Sequence, residues 1–209
     1  MDFDPAGMDP AQSYRLLIGG VVPRPIAVVS TLSENGLPNL APFSYFTIAS
    51  HAPMSLLISV AGRKPGGGPK DTLRNATLPE HGGRGEFVVN IATEAYVQEL
   101  AQSATPLPYG TSEFELTGLT PVPSRMVAPP RIAEASVQFE CRTTTVVPVG
   151  SATLLIGQVV WLTVRDDLLD SKGRIDPARL RAVGRMAGST YTRATDRFDI
   201  EDQAFFPQR

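Results

Sequence analysis

Arg63, Lys64 and Lys70, followed at once by Asp71 and Thr72, form the part of this chain best suited to holding an anion. Phosphate favours a helix N-terminus, where unpaired N–H groups meet the positive end of the dipole. Here Asp71 or Thr72 suits the capping role, Lys70 adds charge, and Arg63 with Lys64 can approach from the end of a preceding strand. Gly66-Gly-Gly68 would let backbone come close to an anion. The same residues also read as an ordinary glycine loop before a capped helix with solvated cations, and the segment alone does not separate the two. It is not a Walker loop: Gly62 and Gly67 have the spacing, but Gly68 stands where lysine is required and no Lys-Ser/Thr follows. Nor does any Gly-x-Gly-x-x-Gly follow a strand, which argues against a Rossmann half.

Upstream, Asn39-Leu-Ala-Pro-Phe-Ser44 interrupts a strand-like run with polar residues and proline. Pro38 and Pro42 cannot donate ladder hydrogen bonds, so the stretch must lie at an edge or a bulge. Its neighbouring backbone groups are then free to pair with a planar heterocycle that carries donors and acceptors. Ser30 and Thr31, on the other arm of the same hairpin, offer hydroxyls. Together the two stretches read as the ends of one mononucleotide site, a ring-binding edge and a phosphate-binding turn. A bulge that merely ends a sheet is the plainer alternative.

The elements that must position these residues are mostly strands. Gln12 to Ile18 predicts an entry helix, and Pro23-Arg-Pro25 an extended lead into a β-branched strand, Ile26 to Leu32. Glu34-Asn-Gly36 is a hairpin signal, because Asn-Gly tolerates the positive φ of a tight turn. The returning strand is expected over Asn39 to Ile48 and a third over Ser55 to Val60. A glycine- and proline-rich loop, Gly62 to Pro69, precedes a helix over Asp71 to Leu78. Phe87 to Ile91 predicts a fourth strand, and Thr93-Glu94 the cap of a helix running to Ala104. Thr105 to Pro130 holds many of the 19 prolines and is expected to wander over the surface. Two long strands, Ala135 to Val147 and Thr153 to Val164, complete the sheet, and Asp176-Pro177 opens a short helix. The order suits a mainly β protein with short helices, an antiparallel barrel with a few helices appended.

At 209 residues the chain is long enough for one well-filled core, and a single domain over residues 1–209 is expected. Hydrophobic content of 42% and charged content of 19% fit a globular protein. A net charge of −2 and a pI near 5.7 argue against a general nucleic-acid binder. No apolar run has the length of a membrane span, so no membrane partner is expected. Met1-Asp-Phe-Asp-Pro5 lacks the order of a secretion signal, and the lone Cys141 suits a reducing compartment; a cytoplasmic location follows as the expectation. Cys141 lies in a strand-like run and reads as a buried structural thiol. His51 and His81 are isolated, so no metal site is expected.

Many short motifs follow one another in a familiar order: Tyr14-Arg-Leu-Leu17, Pro23-Arg-Pro-Ile-Ala27, Val29-Ser-Thr31, Asn39-Leu-Ala-Pro-Phe-Ser-Tyr-Phe46, Lys70-Asp-Thr72, Asn75 and Phe87-Val-Val-Asn-Ile91. Glu113-Phe-Glu-Leu-Thr-Gly-Leu-Thr-Pro121, Phe139-Glu-Cys141, Leu155-Ile-Gly157 and Gly184-Arg-Met-Ala-Gly188 with Tyr191 continue it. In this the chain resembles the flavin reductase-like, FMN-binding split-barrel family. The branch it resembles most contains the reductase component of nitrilotriacetate monooxygenase. Thr47 departs from the asparagine usual there, and Met186-Ala187 from the usual Leu-Gly.

The resemblance implies a split β-barrel, a homodimer, and FMN in a groove near the subunit interface. It implies that Asn39, Leu40, Ala41 and Ser44, with Ser30 and Thr31, hold the isoalloxazine. Ser59, Arg63, Lys64, Lys70, Asp71 and Thr72 would surround the phosphate, and Arg24 and Pro25 would line the ring or the ribityl chain. For Arg24 the alternative is a solvated cation at a strand start, and for Asp71 a helix cap without ligand contact. The implied chemistry is hydride transfer from NADH or NADPH to the flavin, which needs no protein acid or base, so no catalytic residue is named. Three readings stay open: a reductase that passes reduced FMN to a partner monooxygenase, a flavoredoxin-like electron carrier, and a non-catalytic flavin-binding module.

Overall fold

The computed structural model describes residues 1–64, 67–108 and 110–198. The chain opens with α1 (Pro10–Gly20), where the Asp9 carboxylate accepts the Gln12 N–H at 3.1 Å and proline occupies the first turn. It therefore begins earlier and ends later than the entry helix expected over residues 12–18. A short β1 (Arg24–Pro25) leads into β2 (Ala27–Leu32), which turns back as β3 (Pro38–Phe43). The turn is wider than a two-residue hairpin: Ser33 N–H donates to the Leu37 carbonyl at 2.9 Å, and of Asn35 and Gly36 only the glycine has positive φ, +82°.

The single strand expected over residues 39–48 is broken in two. After β3 the chain bends at Ser44 and Tyr45 and continues as β4 (Phe46–His51), then β5 (Met54–Ala61). Tyr45's carbonyl accepts the Ser59 N–H at 2.8 Å, so the bend is tied to β5. The helix expected over 71–78 is α2 (Asp71–Ala76), followed by β6 (Glu86–Ile91). Thr93 provides no capping side chain; a single 3-10 turn, Glu94–Tyr96, runs into α3 (Val97–Gln102).

Residues 105–130 do not simply wander over the surface. Ser112 caps α4 (Glu113–Thr117), its Oγ accepting the Phe114 N–H, and β7 (Pro121–Val122) follows, pairing with β8 (Arg131–Ile132). Glu113, Phe114, Thr117 and Leu119 are buried where α4 is laid against β3, and Val127 is buried further along. The long strands are β9 (Val137–Val149) and β10 (Ala152–Val164). After them come α5 (Pro177–Leu180), capped by Asp176, then β11 (Val183–Arg185) and β12 (Tyr191–Arg193).

Seven strands form one antiparallel sheet in the order β3-β2-β6-β9-β10-β5-β4, and β1, β11 and β12 make a separate small sheet. Register shifts on β10 between Ile156 and Gly157 and between Val159 and Trp161 bend the two longest strands. The sheet rolls until β3, at one end of the order, touches β5, one strand from the other end. The protein is a split barrel, mainly β with short helices. Gly157 is part of the roll: a Cβ there would stand 2.5 Å from the Phe87 ring.

β2 is buried on both faces. Ala27 and Val29 point into the barrel with Phe43, Ile58, Phe87, Cys141 and Leu155. Ile26 and Val28 point the other way, to a second core with Leu40, Tyr96, Leu100, Phe114 and Val183. The alternation is the period-2 geometry of a strand. Cys141 is wholly buried in the first core, and burial pushes its thiol pKa upward.

Candidate functional site

β3 and α2 meet at one end of the barrel, joined by polar side chains. Asn39 Nδ2 donates to Thr72 Oγ1 at 3.2 Å, and Asn75 Nδ2 donates to Thr31 Oγ1 at 3.0 Å. All four residues are buried, so each bond is made away from competing water. This network holds the first turns of α2 against the β2–β3 hairpin.

The cations gather at the start of α2. Lys64 Nζ lies 2.5 Å from Asp71 Oδ2, both groups only slightly exposed. Lys70 Nζ stands 5.9 Å over the centre of the Phe43 ring, within the range of a cation–π contact. Arg63 Nη1 donates to the Gly67 carbonyl at 2.9 Å. Neither Asp71 nor Thr72 caps the helix as expected: Lys70 occupies the N-cap position and makes no side-chain cap bond. Asp71 is engaged by Lys64, with its buried Oδ1 left without a hydrogen-bond partner, and Thr72 is engaged by Asn39. With only six residues, α2 has a small dipole, so charge at this turn comes chiefly from side chains. Of the glycine run, Gly67 has φ +93° and Gly68 accepts the Lys64 N–H, while Gly66 lies outside the described residues.

β3 is an edge strand of the sheet, as its prolines require. Its outward backbone is less free than expected. Leu40 is wholly buried in the outer core, and its N–H donates to Glu113 Oε2 at 2.9 Å. Ala41, Pro42 and Ser44 are half-buried at the end of the strand nearer the bend. Ser59 is half-buried on β5, with its N–H on Tyr45.

Three expected site residues have other duties. Arg24 is only 6% exposed, so it is no solvated cation. Its guanidinium donates to the carbonyls of Ile18, Val21 and Met186 and to Ser44 Oγ, tying α1 and the β11–β12 turn to the Ser44 bend. Ser30 is wholly buried and donates to the Pro130 carbonyl, on the side away from α2. Thr31 accepts from Asn75. Pro25 is exposed beside Arg24 on β1.

The structure thus brings Asn39, Thr72, Lys64, Asp71 and Lys70 into one neighbourhood, with Ser44 and Ser59 at the adjoining bend. Phe43, Asn75 and Glu113 belong to it as well. For Asn75 the sequence signal is its place among the family-like motifs. Phe43 carried a signal, standing next to Ser44 in an interrupted strand. Glu113 likewise stands in one of the family-like motifs, but nothing else in a proline-rich stretch distinguishes a buried carboxylate from a solvated one.

Residues 19–179 match the model of the flavin reductase like domain. The chain belongs to the flavin reductase-like family. An uncharacterized protein of Halalkalibacterium halodurans is 42% identical over 207 residues, covering 96% of each chain. Nitrilotriacetate monooxygenase component B from Bacillus cereus superposes with a TM-score of 0.89 at 35% identity, over 96% of this chain and 98% of that one. Pseudomonas fluorescens 2-nitrobenzoate 2-nitroreductase follows at 0.86 and 30%, over 100% and 99%. Flavoredoxin of Desulfovibrio vulgaris shares the fold, with a TM-score of 0.75 at 22% identity over 98% and 100%. Membership makes the protein an oxidoreductase of flavin chemistry. Among the described residues no helix is long and apolar enough to cross a membrane.

Proposed function

We propose that the protein is an NAD(P)H-dependent FMN reductase that passes reduced flavin to a separate monooxygenase in the cytoplasm. The observation that carries this reading, beside family membership, is the Asn39–Thr72 hydrogen bond, which sets the candidate ring edge against the candidate phosphate turn. Likeness to a component B of a two-part monooxygenase supports the hand-over.

The residues present fit a flavin mononucleotide. Arg63, Lys64 and Lys70 against Asp71 leave an excess of positive charge at the turn, which suits a phosphate dianion. Lys64 and Lys70 would hold that group by charge-assisted hydrogen bonds, with Thr72 and Ser59 completing the cradle. Asn39, Ala41 and Ser44 border the ring; Leu40 shapes the edge from behind, and Ser30 and Thr31 support the strand without reaching outward. Arg24 keeps the Ser44 bend in place, with Pro25 beside it. When bound, FMN supplies the acceptor for a hydride from NADH or NADPH. The chain's own task is to orient the two nucleotides, keep water from between them and favour negative charge on the reduced ring.

A symmetric homodimer completes the reading. None of the 11 residues of α1 is buried, and Tyr14 and Leu17 are 57% and 61% exposed. A helix this short gains little stability alone, so a second copy is the natural cover for it.

The test is NAD(P)H oxidation measured with and without added FMN. Turnover only with added flavin supports the diffusible-flavin reductase. Stoichiometric bleaching of a retained flavin indicates the electron carrier, and inertness the non-catalytic module.

A further inference from the structure

Glu113 lies outside every contact so far assigned to the flavin, yet it controls the strand that borders it. The Leu40 N–H leaves the β2–β3 ladder to meet Glu113 Oε2 at 2.9 Å. Backbone direction in an antiparallel pair repeats every second residue, so Pro38 and Pro42 face off the same edge as Leu40. Prolines have no N–H. Leu40 therefore supplies the only off-edge donor between residues 38 and 42, and Glu113 occupies it.

The carboxylate is itself held firmly. α4 is capped by Ser112, Thr117 Oγ1 donates to the Glu113 carbonyl at 2.8 Å, and Gly118, at φ +71°, closes the helix. Phe114 and Leu119 lodge in the same core as Leu40, and Glu113 is 6% exposed. Asp71 and Lys64 lie close enough to act on its charge with opposite signs, which puts Glu113 beside the cation turn as well. The ring stretch then has three anchors: Thr72 on Asn39, Glu113 on Leu40 and Arg24 on Ser44.

The geometry points to Glu113 as a positioning residue for flavin binding, acting through Leu40 to set the course of the 39–44 stretch. This rests on the assignment of that stretch to the ring. A bond from a carboxylate to a backbone N–H is of the stronger, charge-assisted kind, and losing it would leave a buried N–H unpaired.

The experiment compares Glu113→Ala, which removes the acceptor, with Glu113→Gln, which retains one. Fluorescence titration of the purified full chain reads affinity for FMN and for riboflavin. Glu113→Ala is expected to weaken both by about tenfold, the value of one hydrogen bond with its buried partner stranded, and Glu113→Gln to recover most of that loss. Equal loss in the two variants, or none in Glu113→Ala, overturns the inference. Amide exchange of the flavin-free protein gives an independent reading. Leu40 and its neighbours should exchange faster in Glu113→Ala than in the parent, and unchanged protection overturns the inference too. If the parent binds neither flavin, the proposed function falls, while the exchange measurement still decides whether Glu113 holds the edge.

Discussion

Asn39 and Thr72 stand 33 residues apart in sequence, and the amide of one donates to the hydroxyl of the other at 3.2 Å in a buried setting. The bond joins an edge strand to the first turn of a short helix. It is a direct hydrogen bond between the two stretches that carry the candidate chemistry.

Breaking it should therefore cost both stability and binding. Thr72→Val keeps the shape but strands the Asn39 amide, at about 1–3 kcal/mol of stability for a buried unpaired donor. Both flavin affinities should fall, FMN's further than riboflavin's, since the ring edge and the turn lose their common support and the phosphate also loses the Thr72 hydroxyl. Chemical denaturation with parallel flavin titration is the check.

Lys70→Ala separates phosphate from ring. Its ammonium rests over Phe43 and not in an ion pair with Asp71, which Lys64 takes. FMN binding should weaken by about 1.5–3 kcal/mol, roughly one to two powers of ten, while riboflavin binding and stability hardly change. Unchanged FMN affinity would leave the phosphate to Arg63, Lys64 and backbone amides.

Glu113 should show itself in the pH dependence of stability. Burial, the largest influence, raises its carboxyl pKa in the fold, and the Leu40 N–H only partly opposes this. The folded protein then holds the proton more tightly than the unfolded chain. The stabilisation is complete below the ordinary carboxylate pKa of about 4.3 and is lost as pH rises through the folded value. Glu113→Gln removes that loss, so its stability relative to the parent should rise between acid and neutral pH. A constant difference across the range would contradict the burial argument.

Gly157→Ala tests the roll of the barrel. The added Cβ would meet the Phe87 ring at 2.5 Å and Cys141 Cβ at 3.1 Å, two side chains fixed in the inner core. A loss of about 1–3 kcal/mol is expected from overpacking, read by thermal or urea unfolding.

Sedimentation of the native protein at micromolar concentration should give a dimer. Replacing exposed Leu17 by Glu should shift it toward monomer without unfolding the barrel, because no residue of α1 is buried within the subunit. A parent that sediments as a monomer would refute the assembly.

Much of this was legible in the chain itself. The β-branched run of β2, the two long strands of the later half, and the prolines at 38 and 42 that confine β3 to an edge are local properties, written in residue type and spacing. Asp176 announces its helix for the same reason, since a cap acts on amides two or three residues away. Long-range pairings are different. Whether Arg24 is solvated or buried under three carbonyls, whether Ser30 faces a ligand or Pro130, and whether Leu40's N–H is free or held by Glu113 depend on segments up to 162 residues distant. No local pattern encodes those choices. The rolling of the sheet decides them, by bringing α4, α2 and the β11–β12 turn against the same short stretch of edge.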